Sequence, residues 1–162
     1  TTPTSAGRET SITLLLHWAT SAMWSNTFEG TCHNKSIAIE MILNGSEMYV
    51  HDDMGKIQKV LDNLMENAVK YSGSSVSIRV ECRLHGHELT LKVSDDGIGI
   101  PVSEQGRVFD KFYRSSNLPD RSLPGIGLGL SYVKLLVEAH RGTVFLTSQI
   151  GRGTTVEITI PQ

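Results

Sequence analysis

The sequence DMGKIQKVLDNLMENAVKY occupies residues 53–71, and the alternating stretches VSIRVECRL (76–84) and LTLKV (89–93) follow it. In the first stretch, apolar residues recur three and four positions apart, which predicts an amphipathic helix that ends before Gly73. These residues are Ile57, Val60, Leu61, Leu64, Ala68 and Tyr71. In the two later stretches every second residue is apolar, which predicts a hairpin of two strands with one buried face. A helix packed on an antiparallel hairpin is therefore the centre of the predicted fold.

The rest of the chain continues this mixture of helices and strands. A second amphipathic helix is predicted over about 128–140, and two further strands over 144–147 and 156–160. The first helix, the hairpin and these elements succeed one another without a regular βαβ repeat. We therefore predict an α+β fold, a two-layer sandwich with a mixed sheet and helices on one face.

The pattern before residue 53 is less regular. Residues 12–27 carry a helical spacing, and residues 37–43 and 48–50, joined by Asn44-Gly45, predict another hairpin. The first ten residues are rich in Thr, Ser, Gly and Pro and show no periodicity. We therefore predict that 1–10 is a linker or tag remnant and that 11–162 forms the domain.

Composition excludes several classes of function. The 162 residues hold 15 Lys and Arg against 17 Asp and Glu, so no surplus of positive charge is present to bind nucleic acid. Apolar runs are far shorter than the ~20 residues of a membrane-spanning helix, so we expect no direct membrane insertion of this domain. Cys32 and Cys82 are far apart in sequence and read as reduced thiols, which fits an intracellular compartment.

One flank of the predicted central helix carries groups suited to a phosphate and its metal ion. Asn63 and Asn67 are four residues apart and Lys70 follows three residues later, so the three side chains share this flank. An amide oxygen is a neutral ligand suited to Mg²⁺, and a Lys neutralises phosphate charge. An ordinary solvated helix face would show the same spacing.

The stretch VSDDGIGIP (93–101) delivers a carboxylate from a strand end into a glycine-rich loop. Asp95 can accept a hydrogen bond from an exocyclic amine such as adenine N6, whereas guanine would place an acceptor against it. An unpaired buried acceptor costs about 1–3 kcal/mol, which favours ATP over GTP about tenfold or more. A tight turn capped by the Asp is the alternative for this segment.

The stretch GIGLGL (125–130) opens the second predicted helix, so freed backbone amides and the positive helix end point to one place. This predicts a phosphate-binding loop, and a flexible loop that meets a helix is the alternative. The stretch is not a Rossmann fingerprint, since no βαβ unit surrounds it, and it lacks the Gly-Lys-Ser/Thr of a P-loop. A fourth stretch, GRGTT (151–155), reads by itself as a hairpin turn.

In their order and spacing, these four stretches resemble the sequence boxes of the catalytic ATP-binding domain of bacterial sensor histidine kinases. That domain belongs to a superfamily that includes type II topoisomerases, mismatch-repair ATPases and certain chaperones. The resemblance covers about 12–161. It implies the Bergerat-type ATP-binding fold, with ATP and Mg²⁺ as cofactors.

The resemblance also assigns roles to individual residues. It implies that Asn67 binds Mg²⁺, that Lys70 contacts phosphate, that Tyr71 packs near the adenine and that Asp95 reads the adenine. Thr154 matches a threonine that supports this Asp. The ATP-binding residues implied are Asn63, Asn67, Lys70, Tyr71, Asp95, Gly97, Gly99, Ile100, Phe112, Gly125, Gly127, Leu128, Gly129, Leu130 and Thr154.

The stretch FDKFYR (109–114) resembles the phenylalanine box, which anchors a mobile lid over the nucleotide. The resemblance implies that Arg114 or Arg121 reaches the phosphates from this lid. Phe109 and Phe112 would equally fit plain core anchors of the loop. The catalytic residues implied are Asn67, Lys70 and Arg114.

One departure from the wider superfamily concerns ATP hydrolysis. Members that hydrolyse ATP with water carry a Glu four residues before the Mg²⁺-binding Asn, whereas this chain has Asn63, which cannot take a proton. Fast hydrolysis is therefore disfavoured, and the γ-phosphoryl group is kept for a nucleophile such as a neutral imidazole.

A second departure concerns the acceptor. None of the six histidines lies in the acceptor segment of a histidine kinase, so we expect the acceptor on a separate dimerisation and histidine-phosphotransfer domain of the same parent protein. The implied function is transfer of the γ-phosphoryl group of Mg-ATP to that histidine in two-component signalling, with a response regulator downstream. We expect a cytoplasmic domain, compatible with a parent anchored in the inner membrane. A regulator without transfer activity and a protein-interaction module are the alternatives.

Overall fold

The computed structural model describes residues 9–11, 35–44, 49–51, 54–114 and 129–162. The strands in these ranges are β1 (Glu9–Ser11), β2 (Ser36–Leu43), β3 (Tyr49–His51), β4 (Ser75–His85), β5 (Glu88–Asp95), β6 (Thr143–Gln149) and β7 (Gly153–Pro161). The helices are α1 (Met54–Lys70), α2 (Val102–Gln105) and α3 (Gly129–Ala139). The predicted helix over 12–27 lies outside the described residues.

Five of the strands form one mixed sheet in the order β2-β4-β5-β7-β6. β2 runs parallel to β4, and α1 lies in the connection between them, since parallel neighbours need a long crossover. The other neighbours in this sheet are antiparallel, including the predicted hairpin β4–β5 and the pair β6–β7. The predicted α+β fold with a mixed sheet is therefore confirmed.

The predicted hairpin between 37–43 and 48–50 is wrong. β3 pairs with β1 instead, with Val50 opposite Thr10, whereas β2 pairs along its whole length with β4. Pairing with β4 sets Ile39 opposite Ile78 and extends the apolar face of the sheet, which a three-residue strand cannot do. β1 includes Glu9 and Thr10 of the segment 1–10, whose nature as a linker or tag remnant stays a prediction.

The core lies between one face of the sheet and the helices α1 and α3. Leu61, Met65 and Val69 of α1 have no solvent exposure, and neither do Val80 of β4 and Val133 of α3. Burying a side chain of this size contributes about 1.5–3 kcal/mol. The buried stripe therefore fixes the orientation of α1 and holds its polar flank at one position above the sheet.

The bounds of both long helices agree with the sequence analysis to within one residue at each end. α1 spans Met54–Lys70 where 53–71 is predicted, and α3 spans Gly129–Ala139 where about 128–140 is predicted. Within the described ranges, no helix combines the length and the apolar composition needed to cross a membrane.

A Schellman motif ends α3. The Gly142 N–H donates to the Val137 carbonyl oxygen at 2.8 Å, and the Arg141 N–H donates to the Glu138 carbonyl oxygen at 3.0 Å. Arg141, rather than Gly142, adopts the left-handed conformation, with φ of 60°. Gly142 is needed for a different reason, because a Cβ there would collide with the carbonyl oxygen of Thr159 on β7.

Candidate nucleotide-binding site

The Asp95 carboxylate, at the end of β5, is held through one of its two oxygens. Its Oδ1 accepts the N–H of Gly97 at 2.9 Å and the N–H of Thr154 at 3.2 Å. In the described part of the chain, Oδ2 has no hydrogen-bond partner. Two main-chain donors thus fix the carboxylate plane and leave the second oxygen as an acceptor for a ligand.

Burial sets the acidity of this carboxyl. Burial raises the pKa of Asp95 from 3.8 to about 6, although the N–H donors of Gly97 and Thr154 lower it in part and the charge of Asp96 raises it further. The pKa thus lies just below neutral pH. Asp95 is therefore mainly ionised at pH 7 and gains a proton under mildly acidic conditions.

The loop after Asp95 lies directly against the end of α1. The Ile98 N–H donates to the Tyr71 carbonyl oxygen at 2.9 Å. A Cβ on Gly97 would collide with the same carbonyl oxygen and stand 2.9 Å from Asp95 Oδ1. Glycine is therefore required at 97 for close approach, and the loop after Asp95 packs against the main chain of Tyr71.

The turn between β6 and β7 supplies the second support of Asp95. Gly153 has φ of 110°, and a Cβ there would collide with the Asp95 carbonyl oxygen. This contact brings the Thr154 N–H to the carboxylate, while the Thr154 hydroxyl lies 2.8 Å from Ser148 Oγ. Thr154 thus contacts Asp95 through its main chain, and its side chain is used elsewhere.

The amide flank of α1 meets the first turn of α3. A Cβ on Gly129 would lie 3.2 Å from Asn63 Oδ1 and 3.9 Å from Asn67 Nδ2. Asn63 Nδ2 donates to the Lys59 carbonyl oxygen at 2.9 Å, so its oxygen faces the start of α3. Both amides are half-buried, as is Lys70 at the end of the same flank. The structure therefore places the positive end of α3 beside the predicted amide flank.

Several predicted site residues occupy other environments or lie outside the described residues. Phe112 is 69% exposed with φ of 66°, so it is not a core anchor, and Arg114 is exposed. Phe109 is half-buried, with Lys134 Nζ 5.8 Å from its ring centre. Ile100 is buried and Leu130 is half-buried against the core. The remaining predicted site residues lie outside the part of the chain that the structure describes: Arg121, Gly125, Gly127 and Leu128.

Gly99 has a structural role next to the site. Its φ is 76°, and a Cβ there would collide with the Gln149 carbonyl oxygen at the end of β6. Gly99 therefore lets the loop after Asp95 cross close to the end of β6.

Ser148, which no sequence motif singles out, bonds to the loop after Asp95 and to the turn before β7. The available signal was its register, because Val144, Leu146 and Ser148 share the inward phase of β6 and Ser148 is the polar member. A hydroxyl at a core-facing strand position needs partners, and here those partners belong to the site.

The amide oxygen of Asn67 would suit a magnesium ion that arrives with a nucleotide. No group of three His, Cys, Asp or Glu side chains that could hold a metal ion occurs among the described residues. Mg²⁺ keeps several waters and is commonly bound by one or two protein oxygens together with phosphate oxygens. The Asn67 amide oxygen can serve as such a ligand, so these residues suit Mg²⁺ that is shared with phosphates.

The described residues thus hold a carboxylate with one unbonded oxygen in a glycine loop, and on the same α+β sandwich an amide-bearing helix flank beside the start of a second helix. Residues 52–162 match the family described as "Histidine kinase-, DNA gyrase B-, and HSP90-like ATPase". The chain belongs to this family, and the resemblance noted from its sequence boxes is confirmed.

Among curated relatives, the sensor histidine kinase WalK of Bacillus subtilis (strain 168) is 41% identical over 127 residues, which cover 76% of this chain and 21% of that protein. The sensor protein kinase WalK of Staphylococcus aureus is 35% identical over 116 residues, which cover 70% of this chain and 28% of that protein. The matched part of the chain thus spans 21% and 28% of the length of these two relatives.

Solved structures share the fold of this chain. A mycobacterial sensor histidine kinase, MprB, superposes with a TM-score of 0.77 at 25% identity and covers 95% of this chain and 97% of its own. The catalytic domain of the histidine kinase ThkA, in a nucleotide-free form, has a TM-score of 0.74 at 22% identity, with 95% of each chain covered, and supports the fold alone. Full-length ShkA, in complex with AMPPNP, has a TM-score of 0.73 at 22% identity and covers 95% of this chain and 30% of its own.

Proposed function

We propose that this domain binds Mg-ATP and donates the γ-phosphoryl group to a histidine on the dimerisation and phosphoacceptor domain of its parent protein. The phosphoryl group would then pass to a response regulator in a two-component system. Family membership and the sensor kinases among its relatives support this assignment. We also propose a cytoplasmic location, because a response regulator must reach the phosphorylated histidine.

The observation that carries the proposal is the geometry of Asp95. Oδ1 is occupied by two main-chain donors, so Oδ2 is left to accept one amino hydrogen, which adenine N6 supplies. Guanine presents its O6 carbonyl at the same position, which would oppose two acceptors. The site therefore favours an adenine nucleotide, and Tyr71, Gly97, Gly99, Ile100 and Thr154 form its surroundings.

The phosphates would lie at the other end of the site, where the start of α3 meets the amide flank of α1. The helix N-terminus offers main-chain N–H groups and a partial positive charge, and Lys70 adds an ammonium. Asn67 would hold Mg²⁺ together with the phosphates, and the bound ion would neutralise charge on the β- and γ-phosphates. Asn63, Gly125, Gly127, Leu128, Gly129 and Leu130 complete this end of the proposed site.

The proposed lid carries the remaining residues. Phe112 is exposed and thus accessible to a ligand or partner, and Arg114 or Arg121 would approach the phosphates from the same segment. Catalysis by Asn67, Lys70 and Arg114 would consist of positioning and charge neutralisation.

Transfer rather than hydrolysis follows from Asn63. Its amide donates to the Lys59 carbonyl oxygen, and an amide cannot accept a proton from an attacking water. A neutral imidazole needs no such base, because its nitrogen carries a lone pair. A P–N bond forms to the acceptor, the bond between the γ-phosphorus and the bridging oxygen breaks, ADP leaves and the imidazolium proton goes to solvent.

The test has two parts. Calorimetry with ATP or ADP plus Mg²⁺ should detect binding to the wild type and much weaker binding to Asp95→Ala. Labelled ATP with the parent's phosphoacceptor domain in trans should then give an acid-labile phosphohistidine on that domain. Binding without transfer would favour a regulator, and absence of binding by the wild type would refute the site.

A further inference from the structure

Ser148, at the end of β6, joins three segments that surround Asp95. Its Oγ lies 2.7 Å from the Ile100 nitrogen, 3.0 Å from the Gly153 carbonyl oxygen and 2.8 Å from Thr154 Oγ1. Ile100 belongs to the loop that follows Asp95, and Gly153 and Thr154 belong to the turn that supplies a donor to Asp95. One hydroxyl therefore links the loop, the strand and the turn.

These three bonds use the full hydrogen-bonding capacity of a hydroxyl. A serine has one proton to donate and two lone pairs to accept with. If Ser148 donates to the Gly153 carbonyl oxygen, it accepts from the Ile100 N–H and from the Thr154 hydroxyl. This assignment leaves no capacity unused, so the Thr154 side chain is held by Ser148.

Gln105 reinforces the same connection from α2. Its Nε2 donates to the Ile100 carbonyl oxygen at 2.9 Å and to the Ser148 carbonyl oxygen at 2.9 Å. The side-chain amide thus clamps the loop to β6 one peptide unit away from the Ser148 hydroxyl. A further main-chain bond, from the Gly151 N–H to the Ile98 carbonyl oxygen at 2.9 Å, ties the loop to the turn independently of both side chains.

The direction of the free Asp95 oxygen depends on how these segments sit relative to one another. The donors to Oδ1 come from two of them, since Gly97 is in the loop and Thr154 is in the turn. A change in the spacing of the two donors would rotate the carboxylate and misdirect Oδ2. Ser148 bonds to both segments and therefore helps to fix that spacing, together with the Gly151–Ile98 main-chain bond.

We propose that Ser148, assisted by Gln105, is a positioning residue for Asp95 and thereby determines the preference of this site for adenine over guanine. The inference rests on the proposed nucleotide site and extends it to residues that do not touch the nucleotide. The Ser148 hydroxyl does not touch Asp95; it holds the loop and the turn whose main-chain N–H groups bind the carboxylate.

The expected effect of Ser148→Ala is a selective loss. The Ile100 N–H, the Gly153 carbonyl oxygen and the Thr154 hydroxyl each lose a partner, while the Gly151–Ile98 bond remains and keeps the segments near their places. Affinity for ATP should fall about tenfold, and affinity for GTP should change less than about twofold, because GTP gains nothing from a correctly directed Oδ2. Ser148→Thr keeps the hydroxyl and should restore the ATP preference.

Ser94→Ala is a matched control. The Ser94 hydroxyl accepts from Thr155 Oγ1 at 3.0 Å, so it belongs to the same kind of hydroxyl pair on residues adjacent to Asp95 and Thr154. Neighbouring strand residues point to opposite faces, so this pair lies on the other side of the sheet. Ser94→Ala should leave both affinities within about twofold of the wild type.

Calorimetric titration of wild type, Ser148→Ala, Ser148→Thr, Gln105→Ala and Ser94→Ala with Mg-ATP and with Mg-GTP tests the proposal. A narrowed ATP-to-GTP ratio in Ser148→Ala, with rescue by Ser148→Thr, supports it. An unchanged ratio, or equal losses for both nucleotides, overturns it. If Ser148→Ala does not fold, Gln105→Ala decides, with a ratio narrowed about threefold expected and an unchanged ratio overturning the idea. Failure of the wild type to bind any nucleotide would instead refute the proposed function.

Discussion

Asp95→Asn is the sharpest perturbation of the proposed site because it changes chemistry without changing shape. Oδ1 accepts two main-chain N–H bonds, from Gly97 at 2.9 Å and from Thr154 at 3.2 Å. An amide nitrogen cannot accept these bonds, so the Asn oxygen must occupy the Oδ1 position. The NH₂ group then replaces Oδ2 and presents hydrogens where the wild type presents an acceptor.

The expected loss of ATP affinity follows from the hydrogen bond between the adenine amino group and Asp95 Oδ2, which the variant cannot form. A hydrogen bond to an ionised group contributes about 1.5–3 kcal/mol, and in the variant the adenine amino group would face a second donor. ATP affinity should therefore fall about 10- to 150-fold. GTP should bind the variant better than it binds the wild type, because guanine O6 can accept from the new NH₂ group.

Calorimetry with Mg-ATP and Mg-GTP measures both effects on the same samples. Asp96→Asn is the matched control, since Asp96 is exposed and its Oδ1 accepts the Ser77 N–H at 2.8 Å, a contact distinct from those of the Asp95 carboxylate. The control should bind both nucleotides within about twofold of the wild type. Unchanged ATP affinity in Asp95→Asn, or an equal loss for ATP and GTP, would refute the assigned role of this carboxylate.

Further outcomes are expected from acidity, metal dependence and packing. Because the folded-state pKa of Asp95 is raised to about 6, the native protein holds a proton that the unfolded chain loses near 3.8. The extra proton of the native state therefore stabilises the fold fully below about pH 4, and this stabilisation is lost as the pH rises through 6. In urea unfolding, the free energy of unfolding of the wild type should rise relative to that of Asp95→Asn as the pH is lowered from 7 to 5. Asn67→Ala should remove most of the Mg²⁺ enhancement of ATP binding in titrations with and without the ion, whereas an equal enhancement in wild type and variant would contradict its ligand role. Leu61→Ala, at a side chain with 0% exposure, should lower the free energy of unfolding by about 2–5 kcal/mol, and a loss below about 1 kcal/mol would argue against the described core. Arg141→Gly, at φ of 60°, should raise it by about 0.5–1 kcal/mol, and any decrease would contradict the Schellman geometry.

Local patterns in the sequence were sufficient for the elements that carry the site. The three-and-four spacing of apolar residues predicts α1 to within one residue at each end, and strict alternation predicts the β4–β5 hairpin. Both are short-range properties, because a helix or hairpin buries its apolar face whichever larger structure supplies the partner. The position of Asp95 at a strand end before a glycine-rich loop follows from the same local information.

Partner choice between distant segments required the tertiary structure. β2 carries the alternation of a half-buried strand and is followed by a turn signal, which favours a hairpin, yet it pairs in parallel with β4. The reason is the larger apolar face gained by joining the central sheet, because each β2 residue pairs with a β4 residue 39 positions later, as Ser36 does with Ser75. A short stretch of sequence around β2 does not include β4, so it cannot show that pairing with β4 is more favourable than a local hairpin.

In the candidate site, too, the sequence predicts some features and only the tertiary structure shows the others. Residue types and spacing alone pointed to Asp95 and to Asn63 and Asn67 as a carboxylate and an amide pair with binding chemistry. Only the folded chain shows that the carboxylate is held by donors from two separate segments and that Ser148 links those segments. Composition and periodicity determine what groups a segment can offer, whereas hydrogen-bond geometry across 48 or 59 positions of chain exists only once packing has brought the segments together.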